Sequence, residues 1–173
     1  MVDLLQNAAK GTYLVENDIT KSVFGWSPRN VAPRLVWLET TAADITPGMP
    51  LIRGITVGIS RTCAKAAGTS ILVYGIAELD KKQISVCTDT YATGDLIPVI
   101  PIYGNEGVVL RNLPITDPNA DIEPDVGFQS GAGLWVVGDA TGAIYIRSER
   151  FVADADDPSF LVAYIAPSLD VAA

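Results

Sequence analysis

The stretch Asp44-Ile-Thr-Pro-Gly-Met-Pro-Leu-Ile-Arg-Gly-Ile-Thr-Val57 decides the fold class. Pro47 presets the φ angle at the second position of a turn, and Gly48 accepts the positive φ that a type II turn needs. Short apolar runs follow at once, Leu51-Ile52 and Gly54-Ile55-Thr56-Val57, so the segment reads as turn followed by strand. The same grammar continues in both directions. Upstream, Pro33 bounds the apolar run Arg34-Leu-Val-Trp-Leu-Glu39. Downstream, Ser70-Ile-Leu-Val-Tyr-Gly-Ile-Ala77 is a strand whose internal Gly75 predicts a bulge or a close backbone approach. Asp80-Lys81-Lys82 turns, Gln83-Ile-Ser-Val-Cys-Thr88 alternates as a strand, and Tyr91-Ala-Thr-Gly94-Asp95 turns again. Leu96-Ile-Pro-Val-Ile-Pro-Ile-Tyr103 holds two prolines without amide protons, which predicts an edge strand or an extended connector. Gly107-Val-Val-Leu-Arg111 closes this set.

Further on, residues 114–133 read as a long polar insertion without strand signature. Leu134-Trp-Val-Val137 and Ala143-Ile-Tyr-Ile-Arg147 flank Gly138-Asp-Ala-Thr-Gly142, a hairpin pattern. Asp154-Ala-Asp-Asp-Pro158 turns, Phe160-Leu-Val-Ala-Tyr-Ile165 is the last strand, and residues 166–173 fray. Many short strands between Gly/Pro turns predict a mainly β chain. The expected form is a small β-barrel or sandwich over 34–173, with the insertion at about 114–133 and an extended N-terminal arm over 1–33.

The arm has weak periodicity. Asp3 can cap a short helix over 3–10, since Leu4, Leu5, Ala8 and Ala9 share a face. Val23-Phe24-Gly25-Trp26-Ser27-Pro28 then sets two aromatics beside Gly and Pro, where a regular strand is not expected. Such an arm packs on its own domain or on a neighbour, and both readings stay open. On the second, Val23, Phe24, Trp26 and Trp37 are the candidate contacts with a neighbouring subunit.

Composition removes several function classes. The 173 residues carry 12 Lys plus Arg against 20 Asp plus Glu, a net charge of −8. Nucleic-acid binding needs a cationic footprint, and neither the balance nor any local cluster supplies it. No apolar stretch approaches the roughly 20 residues of a membrane helix. The first residues lack the basic and apolar regions of a secretory signal. Histidine is absent, which excludes Ser-His-Asp and Cys-His catalysis. Cys63 and Cys87 form neither a redox C-x-x-C motif nor a zinc set. They read as buried free thiols, with one disulfide possible, in a protein made and used in a reducing interior. No cofactor is expected, and the chain is not expected to be an enzyme.

One constellation has the residue types of a hard-cation site. Asp117, Asn119, Asp121, Glu123 and Asp125 occupy alternate positions, so an extended backbone points all five to one side. It is not an EF-hand loop, because Ile122 stands where the sharp-turn glycine belongs. The plainer reading is a solvated acidic loop stiffened by proline. Asp154, Asp156 and Asp157 read as turn chemistry, and paired carboxylates for glycoside hydrolysis cannot be placed across a cleft from spacing alone. Gly127-Phe-Gln-Ser-Gly131-Ala-Gly133 lacks the strand-then-helix context of a phosphate cradle and reads as a loop.

The turn-strand pattern in Ile45-Thr-Pro-Gly-Met-Pro-Leu51, Leu72-Val-Tyr-Gly-Ile-Ala-Glu78 and Tyr91-Ala-Thr-Gly-Asp-Leu-Ile-Pro-Val-Ile100 resembles the small β-barrel head decoration proteins of tailed bacteriophages. The resemblance covers about residues 44–110, with 134–165 compatible as completing strands. It implies a structural virion protein that binds the outside of an assembled capsid and stabilises it. Its partners would be the major capsid protein and itself, as a homo-oligomer, plausibly a trimer. It would reside on the capsid surface after synthesis in the host cytoplasm. The other classes in play are a carbohydrate- or calcium-binding β-sandwich module and another minor capsid or head–tail component.

Overall fold

The computed structural model describes residues 15–55, 61–68, 73–116, 127–138, 143–148 and 160–171. Among them there is no helix, and eleven strands carry the architecture. Strands β2 (Val36–Thr40), β3 (Pro50–Ile55), β4 (Arg61–Lys65), β5 (Gly75–Ala77) and β6 (Leu96–Pro101) close a barrel in the order β2-β4-β3-β5-β6. The rest form a six-stranded sheet: β1 (Phe24–Trp26), β7 (Val109–Pro114), β8 (Gly127–Ser130), β9 (Trp135–Val137), β10 (Ala143–Ser148) and β11 (Phe160–Val171). Its order is β1-β7-β11-β10-β8-β9. The expectation of a mainly β chain built on a small barrel holds.

Period-two alternation sorts the side chains into three apolar layers. Ile97 and Val99 of β6 point into the barrel with Leu38, Ile45, Leu51, Cys63, Ala77 and Tyr91. Ile100 and Ile102 point outward, with Ile76 of β5, and meet the sheet through Leu110, Leu113, Phe128, Trp135, Ile146 and Leu161. The far face of the sheet holds a small cluster of Val109 and Val162 with Val15. β6 and β5 are therefore apolar on both faces because each has a core on either side.

Two equivalent turns close the barrel. Ile45 and Tyr91 form a bridge, and each is followed three residues later by a glycine at φ 88°, Gly48 and Gly94. Each glycine N–H is donated to the last residue of a barrel strand, Gly48 to the Ala77 carbonyl at 2.8 Å and Gly94 to the Thr40 carbonyl at 2.9 Å. Each strand then starts two residues on, at Pro50 and Leu96. The type II reading of Pro47-Gly48 is correct, with Met49 N–H donating to the Thr46 carbonyl. Gly75 marks a close approach: a Cβ there would lie 2.5 Å from the Ile100 carbonyl oxygen.

Several local expectations fail, each for a physical reason. Leu96–Pro101 is neither an edge strand nor a connector, since it pairs with β2 and β5 on its two sides. Pro98 accepts from Glu78 N–H, so its amide edge faces beyond the end of β5, and Pro101, an odd step away, faces the other side, before the start of β2. Neither proline removes a ladder bond. Residues 83–88 are turns rather than a strand. Asp80 accepts from the N–H groups of Lys82, Gln83 and Ile84, the Asp89 carboxylate accepts from Ser85 and Val86, and these local bonds outweigh the alternation. Gly127–Ser130, placed in a strandless insertion, is the interior strand β8, held between β10 and β9. Consequently β9 and β10 are not hairpin partners. Residues 166–171 do not fray either, because β11 runs to Val171 and pairs with Ala143.

Candidate interaction surface

The Phe24–Trp26 segment, expected to be irregular, is an edge strand paired with β7, with a register shift between Phe24 and Trp26. The described part of the arm thus packs on its own chain. Val23 is fully buried in the layer between barrel and sheet, so it is withdrawn from any partner surface, a correction to the contact set. Phe24 packs partly buried against the same layer, and Trp26 against the outer cluster of Val15, Val109 and Val162. Trp37 alone of the four lies on an open face, 47% exposed. Asp117, Asn119, Asp121, Glu123 and Asp125 lie outside the described residues, as do the helix over 3–10 and Asp154, Asp156 and Asp157.

The open face is the barrel exterior. In β2 and the residue before it, Leu38 points into the barrel while Leu35 and Trp37 point out. Trp37 stands opposite Pro98, and Leu96, 55% exposed, stands opposite Glu39. Farther along β6 the exterior is covered by the sheet, but at this end nothing described covers it. Beyond Leu35, the connector 27–35 carries the exposed Val31 and lines a cavity of about 220 Å³ together with residues 104–106 and Val108. Leu35 and Leu96 escape a reading by sequence that treats only aromatics as anchors. The available signal was the unbroken apolar run of residues 35–38, since a strand with one solvated face shows polar alternation.

A second feature lies where arm, barrel and sheet meet. Glu78, 5% exposed, follows β5 and directs its carboxylate at backbone donors. Oε1 accepts from Val23 N–H at 2.5 Å and Leu79 N–H at 2.6 Å, and Oε2 accepts from Phe24 N–H at 2.9 Å. Burial pushes its pKa up, while the three N–H groups and the Arg111 charge act against that shift. Fully buried Asn112, at φ 57°, accepts from Asp18 N–H at 2.8 Å and donates to the carbonyls of Asp18 and Lys21. Asn17 accepts from Asn112 N–H and donates to the Phe160 carbonyl. These two buried polar side chains bind the arm. Glu78 was not singled out from sequence, where one acid at the end of an apolar run looks like a strand terminus.

Cys63 and Cys87 are free and buried, as expected, and burial pushes each thiol up to about 11. Among the described residues no three His, Cys, Asp or Glu side chains converge as metal ligands do. No helix of the described residues is long and apolar enough to cross a membrane.

No protein-family model matches the chain, and no curated protein matches it. Among solved structures the chain is similar to the crystal structure of head fiber gp8.5 N base in bacteriophage phi29. The TM-score is 0.50 at 13% identity, over 79% of this chain and 96% of that one. At this identity the likeness concerns the fold.

Proposed function

We propose that the protein is a structural component of a bacteriophage head, without catalytic activity, that docks on the outside of the assembled shell. The observation that supports this reading most is the shared fold with a head fiber base over 96% of that domain. The sequence resemblance to head decoration proteins rests on different grounds, the turn-strand pattern of residues 44–110, and points the same way. The exposed side chains agree with it. Leu35, Trp37 and Leu96 form an apolar stripe on a closed barrel, whose strands have no free edges for self-pairing, so contact must be made through side chains. In this reading the stripe faces the major capsid protein, and the protein resides on the virion after synthesis in the host cytoplasm.

The test is co-sedimentation of the purified chain with shells of the phage that encodes it, lacking their own copies. Saturable binding supports the reading, and the chain remaining in the supernatant at all shell concentrations refutes it.

A further inference from the structure

The connector between β1 and β2 brings two of the chain's few cations to one cavity. Only 12 Lys and Arg stand against 20 Asp and Glu, yet Arg29 and Arg34 line the same hollow. Both are exposed, and among the described residues neither guanidinium has an ion-pair or hydrogen-bond partner. Glu106, also in the lining, is already engaged. Its Oε1 accepts from Gly104 N–H at 3.0 Å. Backbone N–H groups, helped by the Arg29 charge, hold its carboxyl below the usual range. One carboxylate against two guanidiniums leaves the cavity cationic, on a chain whose net charge is −8.

Both walls are fixed by bonds of their own. Asn30 N–H donates to the Ser27 carbonyl at 3.0 Å, and Arg29 N–H donates to the Ser27 hydroxyl at 3.3 Å. This closed turn sets the backbone that carries Arg29. Pro28 lies over Gly107, where a Cβ would come within 3.3 Å of the ring. Opposite, buried Asn105 donates to the Pro101 carbonyl at 2.7 Å, and Val108 N–H donates to the Asn105 carbonyl at 3.1 Å. Val31, Pro33 and Val108 make part of the lining apolar. At about 220 Å³ the cavity is below the roughly 300–1,000 Å³ of small-molecule pockets, and it suits a side chain or a chain end. Planar guanidinium groups match the two oxygens of a carboxylate. A phosphate polymer is a poor match, since the molecule as a whole repels it. The apolar stripe begins where the cavity ends. Leu35 follows Arg34 directly, and Trp37 lies three residues beyond it, about 10 Å along extended chain.

We infer that this cavity takes a carboxylate of the capsid protein, on an acidic side chain or a chain end, between Arg29 and Arg34, while apolar residues of the same segment cover Leu35 and Trp37. The occupant is an extended acidic peptide whose apolar anchor lies about three residues from its carboxylate. The carboxylate sets the register of docking and the stripe supplies most of the affinity. The inference rests on the reading of the protein as a shell-binding component, but it is decided by how binding responds to salt, which that reading leaves open.

The experiment is shell co-sedimentation of the full chain at low and high sodium chloride. It compares the unaltered protein with the double variants Arg29→Ala, Arg34→Ala and Arg29→Lys, Arg34→Lys. Both arginines are exposed, so all three proteins should melt alike. The unaltered chain should bind more weakly as salt rises. The alanine variant should bind about tenfold or more weakly at low salt and lose most of the salt response. The lysine variant keeps the charge without the planar fork, so it should retain the salt response. An alanine variant that binds as tightly as the unaltered chain, or with the same salt response, overturns the inference and leaves shell binding intact. A lysine variant as insensitive to salt as the alanine one overturns it too. Absence of binding by the unaltered chain refutes the shell-binding reading and this inference with it.

Discussion

Trp135 of β9 donates its indole N–H to the carbonyl of Gly48 at 2.9 Å, which fastens the edge of the six-stranded sheet to a turn of the barrel. Both groups are in the interior, and Trp135 is fully buried. The bond does what packing alone cannot, since it fixes where along the barrel the sheet sits. Trp135→Phe retains most of the apolar contact and strands the Gly48 carbonyl, with an expected cost of about 1–3 kcal/mol. Trp135→Ala adds a cavity and should cost about 3–5 kcal/mol. Urea unfolding of the two variants separates the bond from the packing.

Gly48 carries a second constraint. Its φ of 88° is unfavourable for an L side chain, and a Cβ would collide with the Asn112 carbonyl oxygen. Gly48→Ala should destabilise by more than about 1 kcal/mol. Gly94, at the same φ in the equivalent turn with nothing within 4 Å of its would-be Cβ, should show only the conformational penalty. Thermal unfolding of G48A and G94A, compared side by side, checks the difference.

Glu78 ties stability to pH in a direction opposite to most carboxylates. Its folded pKa is raised above 4.5, chiefly by burial, so the charged form is disfavoured in the folded protein. Its contribution is therefore fully present below about 4.5 and is lost as pH rises through the folded value. Glu78→Gln removes this titration. The stability of the unaltered protein relative to E78Q should grow as pH falls from neutrality to 4.5. A gap that shrinks instead would mean that the three N–H donors outweigh burial.

Cys63 and Cys87 should be inert in the native state. The thiolate is the reactive form, and burial pushes both thiols up to about 11 while closing access to them. Labelling with an aromatic disulfide reagent at pH 8 should proceed no faster than unfolding. Rapid labelling of either would show that its layer opens locally.

Fold class was legible in the sequence wherever the backbone needed a special residue. Pro47-Gly48 and Gly94 announce the two barrel turns, and Gly75 announces the contact with Ile100. Pairing was not legible. The Gly138–Gly142 turn signal looks like a hairpin, but β8 already occupies the position beside β10, and only the sheet as a whole decides that. Pro98 and Pro101 looked prohibitive inside a sheet because the direction of each amide edge depends on strand register. Of the candidate contacts, an apolar residue such as Val23 and an exposed one such as Trp37 look alike in sequence. What distinguishes them is whether a second layer covers the strand's outer face, and β6 shows both cases along its own length, with Ile100 covered and Leu96 open.

The stripe on the barrel should be dispensable for folding. Trp37→Ser and Leu96→Ser remove side chains that are already 47% and 55% exposed, so each should change stability by about 0.5 kcal/mol or less. Shell affinity should fall markedly, because buried aromatic anchors dominate interfaces, commonly by 2 kcal/mol or more, about thirtyfold. Parallel measurement of melting temperature and shell co-sedimentation checks both halves.

The most direct measurement is electron cryomicroscopy of particles made with and without this chain. A role in the phage head gives extra density at regular lattice positions on the outer shell of the first, into which the barrel fits with Trp37 and Leu96 toward the capsid. Identical shells in the two preparations would contradict it.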